Sequence, residues 1–159
     1  MTIQICPIKR LYQMLAEGDT GNCGAIISSA AEINAAKLRG MPYVFRQYED
    51  LDYECQGRSF SEADAIAFAG FLKDRETELD TLYCCCDAGE SRSPAVAAAV
   101  MRCLGMDDMP IWRDPHYHPN MLVFAKLTDA LGVGTSDTEK DIRIYTNQKA
   151  FQNALSHTR

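Results

Sequence analysis

The 159-residue chain is 47% hydrophobic and 24% charged, a balance that fits one folded domain with its own core and excludes a disordered chain or a fibre. Its formal net charge of -6 argues against a protein that grips the phosphate backbone of nucleic acid, a task for clustered Lys and Arg. No stretch has the make-up of a leader or the apolar length of a membrane span, so the expectation is a cytoplasmic protein with neither nucleic acid nor membrane as partner.

Cys23 to Ser29 reads as a short buried strand, followed by a short helix over Ala30 to Leu38 that Gly40 and Pro42 close. A second strand is predicted from Tyr43 to Tyr48. The polar stretch Glu49 to Ser59, with Glu49, Asp50, Asp52 and Glu54 crowding its start, reads as a loop. Ser61 and Asp64 then form a capping-box pattern, and Ala65, Phe68, Ala69 and Leu72 recur at helical spacing to about Glu76.

After Asp80, the apolar run Thr81 to Cys86 reads as a central strand. It ends in three of the chain's seven cysteines, Cys84, Cys85 and Cys86, an arrangement that suits reduced thiols better than a disulfide framework. A helix follows with Pro94 in its first turn, an apolar stripe of Val96, Ala99, Val100, Cys103 and Leu104, and Gly105 as its stop. Pro119 opens another, with Val123, Leu127, Ala130 and Leu131 inward and Gly132 as its end. Gly134 to Arg159 is expected to be mostly helix. Strands alternating with helices predict an α/β fold: a mostly parallel central sheet of about four or five strands flanked by helices, with a ligand site at the carboxyl ends of the strands.

Between the central strand and its helix lies Cys86-Asp-Ala-Gly-Glu-Ser-Arg-Ser. A strand-to-helix junction can turn several backbone N–H groups into one concavity, where the helix dipole favours an anion. Gly89 permits the unusual dihedrals of such a turn, and the amides of Asp87, Ala88, Gly89, Glu90 and Ser91 can cradle a phosphate. Arg92 can return over the loop to bind two phosphate oxygens, in a fork geometry that Lys lacks. The same donors favour a thiolate at Cys86, a nucleophile at neutral pH. Ser93 is placed to donate a hydrogen bond to that sulfur.

With these residues the chain resembles the cysteine-dependent protein tyrosine phosphatase superfamily, in particular its compact dual-specificity-like branch and small bacterial predicted tyrosine phosphatases. The signature there is H-C-x5-R-[ST], matched at Cys86, Gly89, Arg92 and Ser93 and departed from at Cys85, where the family usually has His. The resemblance spans roughly Gly24 to Leu131 and implies one domain over residues 1–159, with a core of about 24–132 and a C-terminal extension over 133–159. It also implies a general acid on a loop upstream of the nucleophile. Asp50, directly after the predicted strand, is preferred, with Asp52 in reserve.

The implied activity is hydrolysis of a phosphorylated protein or small phosphomonoester through a phosphocysteine, with neither metal nor organic cofactor. The rival readings are a phosphate-binding pseudophosphatase and a thiol enzyme of the rhodanese or arsenate-reductase kind. His116 and His118 invite a metal reading, but His-x-His alone lacks the spacing of a zinc site. They are read with Asn120 as the start of the helix after Pro119, His118 or Asn120 lying near its N-terminus.

Overall fold

Residues 1–18 and 20–157 are described by the computed structural model. A strand β1 (Thr2–Pro7) and a helix α1 (Ile8–Glu17), neither among the predicted elements, open the chain. The buried stripe of α1 is Ile8, Leu11 and Leu15, and Gly18 ends it in the left-handed region at φ 85°. Strand β2 (Cys23–Ser29) is buried along its whole length, and β3 (Tyr43–Gln47) follows. Helix α2 (Glu62–Arg75) starts at the Ser61–Asp64 capping box, both of whose reciprocal bonds are made.

Strand β4 (Thr81–Cys86) leads into α3 (Arg92–Cys103), then a short α4 (Met109–Arg113), α5 (Met121–Ala130) and the long α6 (Asp137–His157). The sheet has four strands in the order β1-β4-β2-β3, and every pairing is parallel. Parallel strands send all their carboxyl ends to one edge, so Ser29, Tyr48 and Cys86 converge there. Side chains alternate across β4: Leu82 and Cys84 enter the core shared with α2, α3 and α5, whereas Tyr83 and Cys85 enter the one under α1.

The helix expected over Ala30 to Leu38 is not formed; only Ala35–Leu38 winds one 3-10 turn. Leu38 is the sole buried side chain between Ala30 and Leu38, so a longer helix would have no stripe to bury. Ser29 Oγ instead accepts from the Ala31 amide at 3.1 Å, and the Asn34 amide donates to the Tyr12 hydroxyl at 3.0 Å.

Helix α6 accounts for most of the helix expected beyond Gly134; the last two residues of that stretch lie outside the described residues. A reciprocal Ser136–Glu139 pair starts it. Arg143 then forms a two-pronged pair with Asp108, at 2.8 Å from Nε and 2.7 Å from Nη2. The Asp108 carboxylate also accepts from Trp112 Nε1 at 2.8 Å, and Trp112 packs edge-on against Phe124. Asn147 Nδ2 donates to the carbonyls of Trp112 and Tyr117. Among the described residues no helix is long and apolar enough to cross a membrane.

Candidate active site

The turn from Asp87 to Ser91 joins the last residue of β4, Cys86, to the first of α3, Arg92. Gly89 is pressed against the end of β1 at φ 73°, and a Cβ there would lie 2.9 Å from Pro7 N and 3.1 Å from the Cys6 carbonyl carbon. Only glycine meets both demands. In that position the Gly89 amide donates to Cys86 Sγ at 3.3 Å, and Ser93 Oγ lies 3.1 Å from the same sulfur. The thiol is 2% exposed, at the floor of the turn.

Arg92 is 8% exposed and is held by three strand ends. Its Nη1 donates to the Tyr48 carbonyl at 3.0 Å and its Nη2 to Asp87 Oδ2 at 2.9 Å. Asp87 Oδ1 accepts from Ser29 Oγ at 2.8 Å, so this carboxylate ties the guanidinium to β2. The buried Nε–H of Arg92 has no hydrogen-bond partner among the described residues. Tyr48, whose hydroxyl bonds Ser28 Oγ at 2.6 Å, is buried deeply enough to push its phenol far above the ordinary range.

Ser91 stands at the N-cap of α3 but makes no side-chain capping bond. Its hydroxyl donates instead to Asp50 Oδ1 at 2.9 Å, which leaves the first amides of α3 without a side-chain acceptor. Asn120 Nδ2 donates to the same Asp50 oxygen at 2.9 Å and to the Leu51 carbonyl at 3.0 Å. Asn120 Oδ1 meanwhile accepts from Val123 N at 3.1 Å and caps α5.

The segment before α5 also backs the turn, the His118 amide donating to the Glu90 carbonyl at 2.8 Å and the Asn120 amide to the Ser91 carbonyl at 3.1 Å. Beyond it the loop after β3 is closed by Arg58, whose guanidinium bonds the Glu49 carboxylate and holds it below the usual carboxylate range.

The structure thus gathers Cys86, Asp87, Gly89, Ser91, Arg92, Ser93 and Asp50 at one turn in three hydrogen-bonded sets, Cys86 with Gly89 and Ser93, Arg92 with Asp87, and Ser91 with Asp50. The side chains of Asp52, Ala88 and Glu90 are exposed, and among the described residues Asp52 makes no hydrogen bond or ion pair. Asp50 and Asp52 share a cavity of about 510 Å³ with Ser91 and His118, and α6 closes its far side with Ile144 and Gln148.

His116 and His118 each pack edge-on against an aromatic ring, Tyr117 and Phe151 respectively, and among the described residues no group of three or more His, Cys, Asp or Glu is gathered as a metal site. Cys84 and Cys85 are buried strand residues, and burial raises the Cys84 thiol far above its ordinary value.

Three contributors escaped sequence reasoning. Ser29 had a legible signal, a hydroxyl at the end of an otherwise apolar strand. Tyr48 acts through its carbonyl, which carries none. Gln148 depends on where a remote helix docks.

No family model and no curated protein matches the sequence. Solved structures do match. The chain is similar to PTPMT1 in complex with PI(5)P, at 15% identity over 82% of this chain and 90% of that one, with a TM-score of 0.58. It is similar to the PTP-2 phosphatase of Cydia pomonella, at 17% identity over 81% and 85% of the two chains, with a TM-score of 0.54. Human DUSP28 aligns at 15% identity over 98% of this chain and 94% of its own, with a TM-score of 0.51. All three are cysteine-dependent protein tyrosine phosphatase superfamily proteins, and the likeness at these identities is one of fold.

Proposed function

From a chain folded as the cysteine-dependent phosphatases are, we propose a phosphomonoester hydrolase that works through a phosphocysteine on Cys86, acting on phosphotyrosine proteins or with dual specificity. The observation that carries this reading is the group around one sulfur. Gly89 N–H and Ser93 Oγ lie at hydrogen-bond distance from Cys86 Sγ, and Arg92, with an unpaired buried Nε–H, opens the helix that follows. An unpaired buried donor is costly, and a phosphoryl oxygen satisfies it.

In the first step the Cys86 thiolate attacks phosphorus in line. The S–P bond forms as the ester P–O bond breaks, and the departing oxygen takes a proton from Asp50. Both hydrogen bonds to Asp50 fall on Oδ1, so Oδ2 is the oxygen that carries the transferable proton. The guanidinium of Arg92 and the loop amides hold the equatorial oxygens as charge spreads over them. In the second step water attacks phosphorus, Asp50 takes its proton, and the sulfur leaves as a thiolate stabilised by Ser93. Inorganic phosphate is the product.

The exposed carboxylates of Asp50, Asp52, Asp87 and Glu90 rim the site. They oppose a polyanionic substrate and favour a singly phosphorylated group on a neutral or basic carrier. Turnover of an aryl phosphate by wild type and by Cys86→Ser tests the reading. Loss of hydrolysis with the fold retained supports it, and undiminished hydrolysis removes the nucleophile.

One observation favours a second reading, a recognition module that binds phosphate without turning it over. Arg92 is already paired with the Asp87 carboxylate inside its own loop, and a substrate must compete with that pair. Saturable binding of a phosphopeptide without phosphate release would select it.

A further inference from the structure

Behind the nucleophile, on the face of the sheet under α1, two thiols meet. Cys6 of β1 and Cys85 of β4 are ladder partners on neighbouring parallel strands, and their sulfurs are 3.4 Å apart. Among the described residues this is the one sulfur–sulfur contact at hydrogen-bond range. A disulfide bond is about 2.05 Å long and joins Cα atoms about 4.4–6.8 Å apart, a span that contains the roughly 4.8 Å spacing of adjacent strands. The pair needs only a short approach to close.

The two thiols differ in the way an oxidation sequence requires. Cys6 is partly exposed and Cys85 is 0% exposed, so a small oxidant meets Cys6 first. The hydrogen bond from Cys85 lowers the Cys6 thiol below its ordinary value, against the effect of burial and with help from Arg10. The same bond, with burial, pushes Cys85 up. Of the two, Cys6 is therefore the more readily ionised thiol, with Cys85 as the donor beside it.

The end of β1 that carries Cys6 is also the surface on which the phosphate-binding turn rests. Gly89 packs on Cys6 and Pro7 with no space for one further carbon, and its amide is the donor to Cys86 Sγ. Cys85 is bonded directly to Cys86. Any approach of Cys6 and Cys85 must displace both the floor of the turn and the residue before the nucleophile, in a region without slack.

We infer that Cys6 and Cys85 form an oxidisable dithiol whose closure to a disulfide switches off the neighbouring site. The oxidant is a peroxide. The Cys6 thiolate attacks one peroxide oxygen, breaking the O–O bond to give a sulfenic acid and, with one proton, water; the Cys85 thiol then displaces the hydroxyl group, forming the S–S bond and a second water. A thiol reductant reverses the closure. The site of oxidation stands on the Cys6–Cys85 geometry and the exposure of Cys6, and what it switches rests on the phosphatase reading.

The test treats the full chain with limited hydrogen peroxide, as wild type, Cys86→Ser and Cys6→Ala. Non-reducing digestion with tandem mass spectrometry then places the link, and dithiothreitol-reversible loss of aryl phosphate turnover is followed in wild type. A Cys6–Cys85 link is expected in wild type and in Cys86→Ser and not in Cys6→Ala. It should accompany a fall in turnover of about tenfold or more, since displacements near 1 Å carry such costs. Because Cys86→Ser reports the link by mass alone, failure of the phosphatase reading leaves that arm intact. A link through Cys86 instead, no link at all, or a Cys6–Cys85 link with turnover unchanged would each overturn the inference.

Discussion

Ser91 gives its hydroxyl hydrogen to Asp50, 41 residues earlier in the chain, at 2.9 Å. A residue of the turn between β4 and α3 thereby fixes the carboxyl proposed to protonate the leaving group, and Asp52 has no such tether. Asp50→Asn should lower kcat by about a hundredfold for an ester with a poor leaving group, where proton donation matters most. The loss should be much smaller for para-nitrophenyl phosphate, whose phenolate leaves unaided. Asp52→Asn should resemble wild type on both, as steady-state kinetics with the two esters will determine.

Asn120 holds Asp50 with one end of its amide and caps α5 with the other. Asn120→Ala should cost about 1 kcal/mol of stability for the lost cap and should also reduce kcat. Asn120→Asp keeps the oxygen that accepts from Val123 but replaces the donor to Asp50 with a like charge. Thermal unfolding should therefore show stability largely restored in Asn120→Asp, while kinetics show kcat still depressed.

Much of the fold is legible in the sequence. The run Thr81 to Cys86 announced a strand because it is apolar and bounded by polar residues, and the Ser61–Asp64 box marked a helix start through local bonds alone. β1 carries only a short signal: Thr2-Ile-Gln-Ile alternates polar and apolar as a half-buried edge strand does, but Pro7 cuts the run at six residues, and its partner β4 lies 79 residues away. The expected helix after Ser29 failed for the complementary reason, since alanine-rich composition favours a helix but gave it nothing to bury. The strand-to-helix setting of the turn that joins Cys86 to Arg92, on which the proposed nucleophile and its arginine rest, was legible from the apolar run before it and the helical stripe after it. The Ser29–Asp87–Arg92 chain was not, because it depends on which strand lies beside β4.

Gly89→Ala is expected to be far more damaging than its single added carbon suggests. The residue combines φ 73° with a Cβ position 2.9 Å from Pro7 N, so both torsion and packing oppose alanine. Denaturant unfolding should show lower stability. Alkylation of Cys86 by iodoacetamide should slow, because the turn can no longer aim its amide at the sulfur.

The pair of Asp108 and Arg143 pins α6 and is buried, its residues 3% and 7% exposed. Burial pushes the Asp108 carboxyl up, but hydrogen bonds from Arg143 and Trp112 and the positive charge of Arg143 outweigh it and hold it below its ordinary value. A depressed carboxyl stabilises the fold above its unfolded pKa of about 3.9 and loses that contribution as pH falls through the lower folded value. Wild type should therefore lose stability in acid below that point more steeply than Asp108→Asn. Arg143→Ala, which leaves a buried charge unpaired, should cost about 3–5 kcal/mol at neutral pH. Chemical denaturation across a pH series checks both.

Rapid acid quench of the protein mixed with an aryl phosphate, followed by peptide mass spectrometry, tests the proposed bond to the Cys86 sulfur most directly. The account predicts a phosphoryl group on Cys86 in wild type within the first turnover and none in Cys86→Ser. Phosphate release in burst and steady state with Cys86 unmodified, or a phosphoryl group on another residue, would contradict it.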